Sequence, residues 1–203
     1  MSRSVKGVTS EIRKALRLSA DLLRTAPPRR LEAVNNEMPC LIFTDGAYEG
    51  GTASCGAVVL SPRTESPLAF GFNIPPKIVD EWQGFGHEHV IAQAEMLPIV
   101  IIKRHFPQLL RGARALYFID NEGVKEALVA GVTKSEACRK MLIEAMLQDA
   151  SNNSLNWYTR VPSPSNIADA PSRLRWDLLD SMLDYVKVEV DLDYERWGQI
   201  RVV

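Results

Sequence analysis

Residues 40–62, CLIFTDGAYEGGTASCGAVVLSP, decide how this chain is read. Leu41-Ile42-Phe43 is a short, wholly apolar run that meets Thr44-Asp45-Gly46. Gly50-Gly51-Thr52 reads as a hairpin turn, since glycine accepts the positive φ that tight hairpins demand. Gly56-Ala57-Val58-Val59-Leu60 is a second strand, stopped by Ser61-Pro62, and Leu68-Ala69-Phe70-Gly71-Phe72 makes a third. Strands joined by turns this short predict an antiparallel meander.

Beyond the meander the period changes. A helix is expected over about 91–106, with Ala94, Leu97, Ile101 and Ile102 as its buried stripe. Pro98 falls in its first half, which places the well-formed start near Glu95. Ala115-Leu116-Tyr117-Phe118-Ile119 is a strand ending at Asp120. Helices follow over about 122–130, stopped by Gly131, and over about 135–149. Leu155-Asn156-Trp157-Tyr158-Thr159 is the last core strand, and after the loop 163–166 a short helix begins near Ile167. The order β-β-β-α-β-α-α-β-α predicts an α/β fold, a mixed five-stranded sheet with helices on both faces.

The ends differ from the middle. Residues 1–36 carry eight Lys/Arg against three acids, net +5, and residues 177–196 carry two against seven acids, net −5. The basic arm reads as a helix capped by Thr9 or Ser10, with Ile12, Leu16, Ala20 and Leu23 at helical spacing, stopped by Pro27-Pro28. The tail reads as a helix through Leu178, Leu179, Met182, Leu183 and Val186, then a strand alternating Val188, Val190 and Leu192 with acids. The division expected is a helical arm and linker over 1–37, a central α/β domain over 38–176 and an acidic extension over 177–203. Across 203 residues the net charge is −1, so no global basic field announces a nucleic-acid binder. Cys40, Cys55 and Cys138 are odd in number and form no CxxC, which argues against a disulfide framework and for an intracellular setting. The N-terminus lacks the apolar core of a secretory signal, and no apolar run approaches the length of a membrane span.

Four acids stand at the ends of elements: Asp45, Glu95, Asp120 and Asp169. Singly, each reads first as a turn or cap residue. Together on this skeleton they read otherwise, because α/β sheets place ligands where central strands end. Gathered carboxylates raise one another's pKa unless a cation compensates. The hard-cation answer is Mg²⁺, and a pair of such ions cleaves phosphodiesters by activating water and stabilising the leaving oxygen.

The segments FTDGAYEGGTASCGAVVLSP, AEMLPIVIIKRHF, LYFIDNEGVKEAL and WYTRVPSPSNIADAPSRL resemble, in this order, the ribonuclease H domain of retroelement reverse transcriptases, within the type 1 ribonuclease H-like superfamily. The likeness spans roughly residues 38–176, and PPRRLEAVNNEMPC resembles the connection that precedes that domain. It implies a sheet whose meander is followed by parallel strands. It implies Mg²⁺-dependent cleavage of the RNA strand of RNA–DNA hybrids by two ions, with Mn²⁺ able to substitute. A polymerase domain of a reverse transcriptase is the implied partner. Asp45 becomes the ligand bridging both ions, Glu95 the helix ligand, Asp120 the second aspartate ligand and Asp169 the loosely held last ligand. On the substrate side it implies Gly46, Ala47, Asn121, Asn166 and Arg173. One departure stands out: the loop 161–166 lacks the histidine that many members carry before the last aspartate. The alternative is a non-catalytic ribonuclease H-like domain of the connection type, which binds nucleic acid or protein. A 3′-5′ exonuclease is disfavoured because Asp45-Gly46-Ala47 is not DxE, and no polymerase YxDD motif is present.

Other signals are weaker. Gly86-His87-Glu88-His89 invites a zinc reading but reads as a surface loop in the insertion 74–90. Trp82, in that insertion, is expected to be open, and Trp157, in a core strand, to be packed. The basic stretch 13–24 reads as the solvated face of a helix.

Overall fold

The computed structural model describes residues 9–25, 37–84 and 90–196. The linker around Pro27-Pro28 and the Gly86-His87-Glu88-His89 motif lie outside the described residues. The chain divides into two units, residues 1–33 and 34–203. The first holds α1 (Ser10–Thr25). Thr9 caps it, its hydroxyl accepting from the Ile12 N–H at 3.3 Å. No helix among the described residues is long and apolar enough to cross a membrane.

The second unit begins with β1 (Cys40–Glu49), β2 (Thr52–Leu60) and β3 (Leu68–Asn73), followed by α2 (Pro76–Gly84), α3 (Ile91–His105) and α4 (Pro107–Leu110). Then come β4 (Arg114–Ile119), α5 (Glu122–Ala130), α6 (Glu136–Asn152) and β5 (Leu155–Arg160). A short 3₁₀ turn at Ser163–Ser165 leads to α7 (Asp169–Ser172), α8 (Trp176–Met182) and β6 (Val186–Lys187). The strands lie in the order β5-β4-β1-β2-β3-β6. β1, β2 and β3 form the expected antiparallel meander, with Gly50 and Gly51 at φ +56° and +82° in its first turn. β4 runs parallel to β1, and β5 parallel to β4.

The sheet has six strands where five were expected. Val186 and Lys187 pair in parallel with Leu68 and Ala69 of β3. The alternating residues Val188, Val190 and Leu192 pack against the core without extending that strand. α2 arises inside the expected insertion. Pro76 presets its first turn, and Ile78, Val79 and Trp82 make one buried stripe. α3 begins at Ile91, a turn before Glu95, and Pro98 lies within it. Proline there removes the bond to the Ala94 carbonyl, a cost of about 3 kcal/mol. Burial of Ala94, Met96, Leu97, Ile99, Val100, Ile101 and Ile102 outweighs it.

The two tryptophans exchange their expected roles. Trp82 is 0% exposed and Trp157 is 69% exposed. α7 and α8 cover the second face of the sheet over β1, β2 and β3, through Val58, Ala69, Ala170 and Leu179. Trp157 stands on β5 beyond that cover, in register with Leu116. Trp82 is covered by the tail. Its Nε1–H donates to the Tyr194 hydroxyl at 2.7 Å, and the two rings meet edge-on at 6.0 Å. Tyr194→Ala is expected to cost about 3–4 kcal/mol, as deletion of a buried aromatic ring does, and to leave Trp82 Nε1–H without its acceptor. Urea unfolding of the variant beside the parent measures this.

The main core lies on the first face, between the sheet and α3 and α6. A buried ion pair pins α3 there. Lys103 Nζ lies 2.5 Å and 2.6 Å from the two Asp149 carboxylate oxygens on α6 and donates to the Tyr158 hydroxyl on β5 at 2.8 Å. α3 carries Glu95, so this pair helps hold the site's helix to its neighbours.

Candidate metal centre

The parallel ladder between β1 and β4 sets the geometry. Its last pair is Thr44 with Ile119. Asp45 and Asp120 are the next residues on each strand, so they emerge side by side at the same level. Asp45 is not a strand end, because β1 runs on to Glu49 against β2; only its parallel partner stops there. Glu95 comes in from α3. A Cβ on Gly46 would overlap the backbone of Ala94 and Glu95, so the bare glycine lets the helix lie directly against β1 beside Asp45.

These elements bring three carboxylates together. Oxygens of Asp45, Glu95 and Asp120 lie within 4.8 Å of one another. Asp45 and Glu95 are buried, and Asp120 is half-buried. Burial pushes the Asp45 carboxyl up to about 6, and the charges of Asp120 and Asp169 push the same way; the Ser172 hydrogen bond and Arg173 oppose them. Glu95 is pushed up to about 10, by burial first and then by Asp45 and Asp120, with the Gly46 backbone amide opposing. Glu95 Oε2 and Asp120 Oδ1 are buried and have no hydrogen-bond partner among the described residues, and the same is true of Oγ1 of Thr44, the residue before Asp45. An all-oxygen set of mutually repelling carboxylates, two of them with a buried oxygen left unpartnered, fits a hard divalent cation such as Mg²⁺.

Asp169 is held differently. It opens α7, and its carboxylate is taken by two guanidinium groups. Arg173 Nε lies 2.7 Å from Oδ1, and Arg175 Nη2 pairs with Oδ2. Arg173 also pairs with Glu49 at the end of β1. Asp169 therefore lies near enough to act on Asp45 through its charge, but it is not one of the three gathered acids.

The residues expected on the substrate side all have structural partners. Gly46 lies under α3, and Ala47 is buried. Asn121 caps α5, its side chain accepting from the Val124 N–H at 3.1 Å. Asn166 is buried, donating to the Thr44 carbonyl at 3.0 Å and accepting from the Ala168 N–H at 3.2 Å. Arg173 is engaged with Asp169 and Glu49 as described. Ser172 is the residue that sequence reading passed over. It is a small hydroxyl three residues after an acid, and its contact with Asp45 depends on how α7 lies on the sheet.

No protein-family model matches the sequence, and no curated protein does. Solved structures do resemble it. The ribonuclease H1 of the halophilic archaeon Halobacterium salinarum NRC-1 is 19% identical, covers 69% of this chain and 98% of its own, and superposes with a TM-score of 0.53. The N-terminal ribonuclease H domain of a Mycobacterium tuberculosis protein, solved as a fusion with maltose-binding protein, is also 19% identical. It covers 71% of this chain and 98% of its own, with a TM-score of 0.50. At this identity the likeness shows the fold: a ribonuclease H-like mixed sheet with helices on both faces.

Proposed function

We propose that this chain is a divalent-metal-dependent ribonuclease H that cuts the RNA strand of RNA–DNA hybrids, serving as the ribonuclease H part of a reverse transcriptase. The observation that carries the reading is the convergence of Asp45, Glu95 and Asp120 where the parallel pair of β1 and β4 ends. The reverse-transcriptase setting rests on the retroelement-like motifs at 43–62, 94–106, 116–128 and 157–174. Residues 38–176 carry the catalysis in this reading, 1–37 form a connection-like arm, and the acidic tail completes the sheet edge at β3.

Asp45, Glu95 and Asp120 would hold the metal, with Asp169 as an outer fourth group. Held by these acids, two Mg²⁺ ions would supply activation of a water and stabilisation of the leaving oxygen in phosphodiester cleavage. The chain's own part is positional. β1 and β4 fix two carboxylates at one level, and α3 brings the third across Gly46. The loop before Asp169 carries no histidine.

The test is end-labelled RNA paired with DNA, incubated with Mg²⁺ or with chelator, beside an Asp45→Asn Asp120→Asn variant. Cleavage of the paired RNA alone, leaving 3′-hydroxyl and 5′-phosphate ends and lost in the variant, is the expected result. Retained hybrid binding by the parent without cleavage would move the chain to the non-catalytic reading. The four acids should not be equal. Asp169→Asn releases two arginines at the surface and is expected to lower cleavage roughly tenfold, the scale of losing an outer-shell group. The same assay measures it, and a loss as deep as that of Asp45→Asn would place Asp169 among the inner ligands.

A further inference from the structure

The Asp45 carboxylate is met by one buried hydroxyl from the far end of the domain. Ser172, fully buried at the end of α7, donates its Oγ–H to Asp45 Oδ2. The contact rests on a constructed seat. A Cβ on Gly56 would overlap the backbone of Pro171 and Ser172, and one on Gly71 would overlap the backbone of Pro171. Bare glycines on β2 and β3 thus let α7 lie backbone to backbone on the sheet. Asn166 ties the preceding loop to the Thr44 carbonyl, next to Asp45 in β1. The Ser172 hydroxyl also lies 3.0 Å from the Asp169 carbonyl, but it has one proton, and the carboxylate is the stronger acceptor.

Three carboxylates this close push apart, and an aspartate free to change rotamer would turn away from the other two. We propose that Ser172 is a positioning residue for the metal centre: by engaging Asp45 Oδ2 it fixes that carboxylate in the orientation that converges with Glu95 and Asp120. The inference rests on the metal-centre reading above. Outer-shell partners of this kind orient ligands and set metal affinity.

The experiment is Ser172→Ala in the full chain. It reads Mn²⁺ affinity by electron paramagnetic resonance, the Mg²⁺ dependence of hybrid cleavage, and the melting temperature in chelator. Mn²⁺ binding is expected to weaken roughly tenfold, with the Mg²⁺ concentration for half-maximal rate rising by the same factor. The rate at saturating Mg²⁺ should fall less than that, and the metal-free melting temperature should stay close to the parent's. A variant that binds Mn²⁺ as tightly as the parent overturns the proposal. So does one that merely melts earlier in chelator with its affinity unchanged, since that is a packing role. A parent chain that binds no Mn²⁺ sinks the metal-centre reading itself, and the inference with it.

Discussion

Asp45→Asn should abolish hybrid cleavage and, in the same molecule, raise the stability of the metal-free protein. The loss should reach on the order of 10³-fold or more, the upper range for removing a single group that stabilises the developing charge. The stability gain follows from linkage. The folded-state carboxyl of Asp45 sits at about 6, above the ordinary value of 3.8. Between those values the native state holds a proton that the unfolded chain has lost, so stability falls as pH rises through that window and the deficit persists at pH 7. Glu95 adds a second deficit that grows from its ordinary 4.5 up to about 10. Neutralising Asp45 removes the first deficit and relieves the second, while the amide oxygen still accepts from Ser172. About 1–3 kcal/mol at pH 7 is expected at ~1.4 kcal/mol per pKa unit, discounted for the site's partial solvation. Thermal unfolding in chelator from pH 4 to pH 9 measures this. The parent should lose stability across that range, Mg²⁺ should restore it, and the variant should be flatter and unresponsive to Mg²⁺. A variant less stable than the parent at pH 7 would mean that the carboxylates do not repel as described.

Gly46→Ala should be nearly as damaging to activity and far worse for the fold. Replacing a glycine by alanine where the native backbone and space allow it gains from reduced backbone freedom in the unfolded state. Here the new methyl meets the backbone of Ala94 and Glu95 rather than a side chain that can turn aside. Either β1 or the first turns of α3 must shift, and α3 is held by buried residues along most of its length and by Lys103 paired with Asp149. About 3 kcal/mol is expected, the upper end of what overpacking costs. The shift falls on Glu95, so metal affinity should drop in whatever fraction stays folded. Urea unfolding and Mn²⁺ binding read the two effects separately. A variant as stable as the parent would show that α3 does not rest on β1 at this point.

The parts of this site that lie near one another along an element are legible in the sequence. Asp45 and Asp120 each follow an apolar run, and the parallel register of β1 and β4 does the rest. Glu95 is legible as an acid on the helix after the meander, though Pro98 makes that helix seem to start later than it does. What is not legible depends on cover and on long-range docking. Trp82 and Trp157 differ in burial because the tail, 112 residues away in sequence, brings Tyr194 to the first, while the second stays 69% exposed on β5. The arginines on Asp169 depend on the turn after α7, and the Ser172 contact depends on glycines in two other strands. β6 depends on a free edge of β3 that sequence alternation in the tail does not announce.

The central claim is that Asp45, Glu95 and Asp120 form a metal centre. Anomalous diffraction from crystals of the chain soaked in Mn²⁺ tests it most directly. The account predicts a strong peak within coordination distance of all three carboxylates, absent from crystals of the Asp45→Asn Asp120→Asn variant. Mn²⁺ bound elsewhere with the three-acid site empty, or the three carboxylates found turned apart, would contradict it.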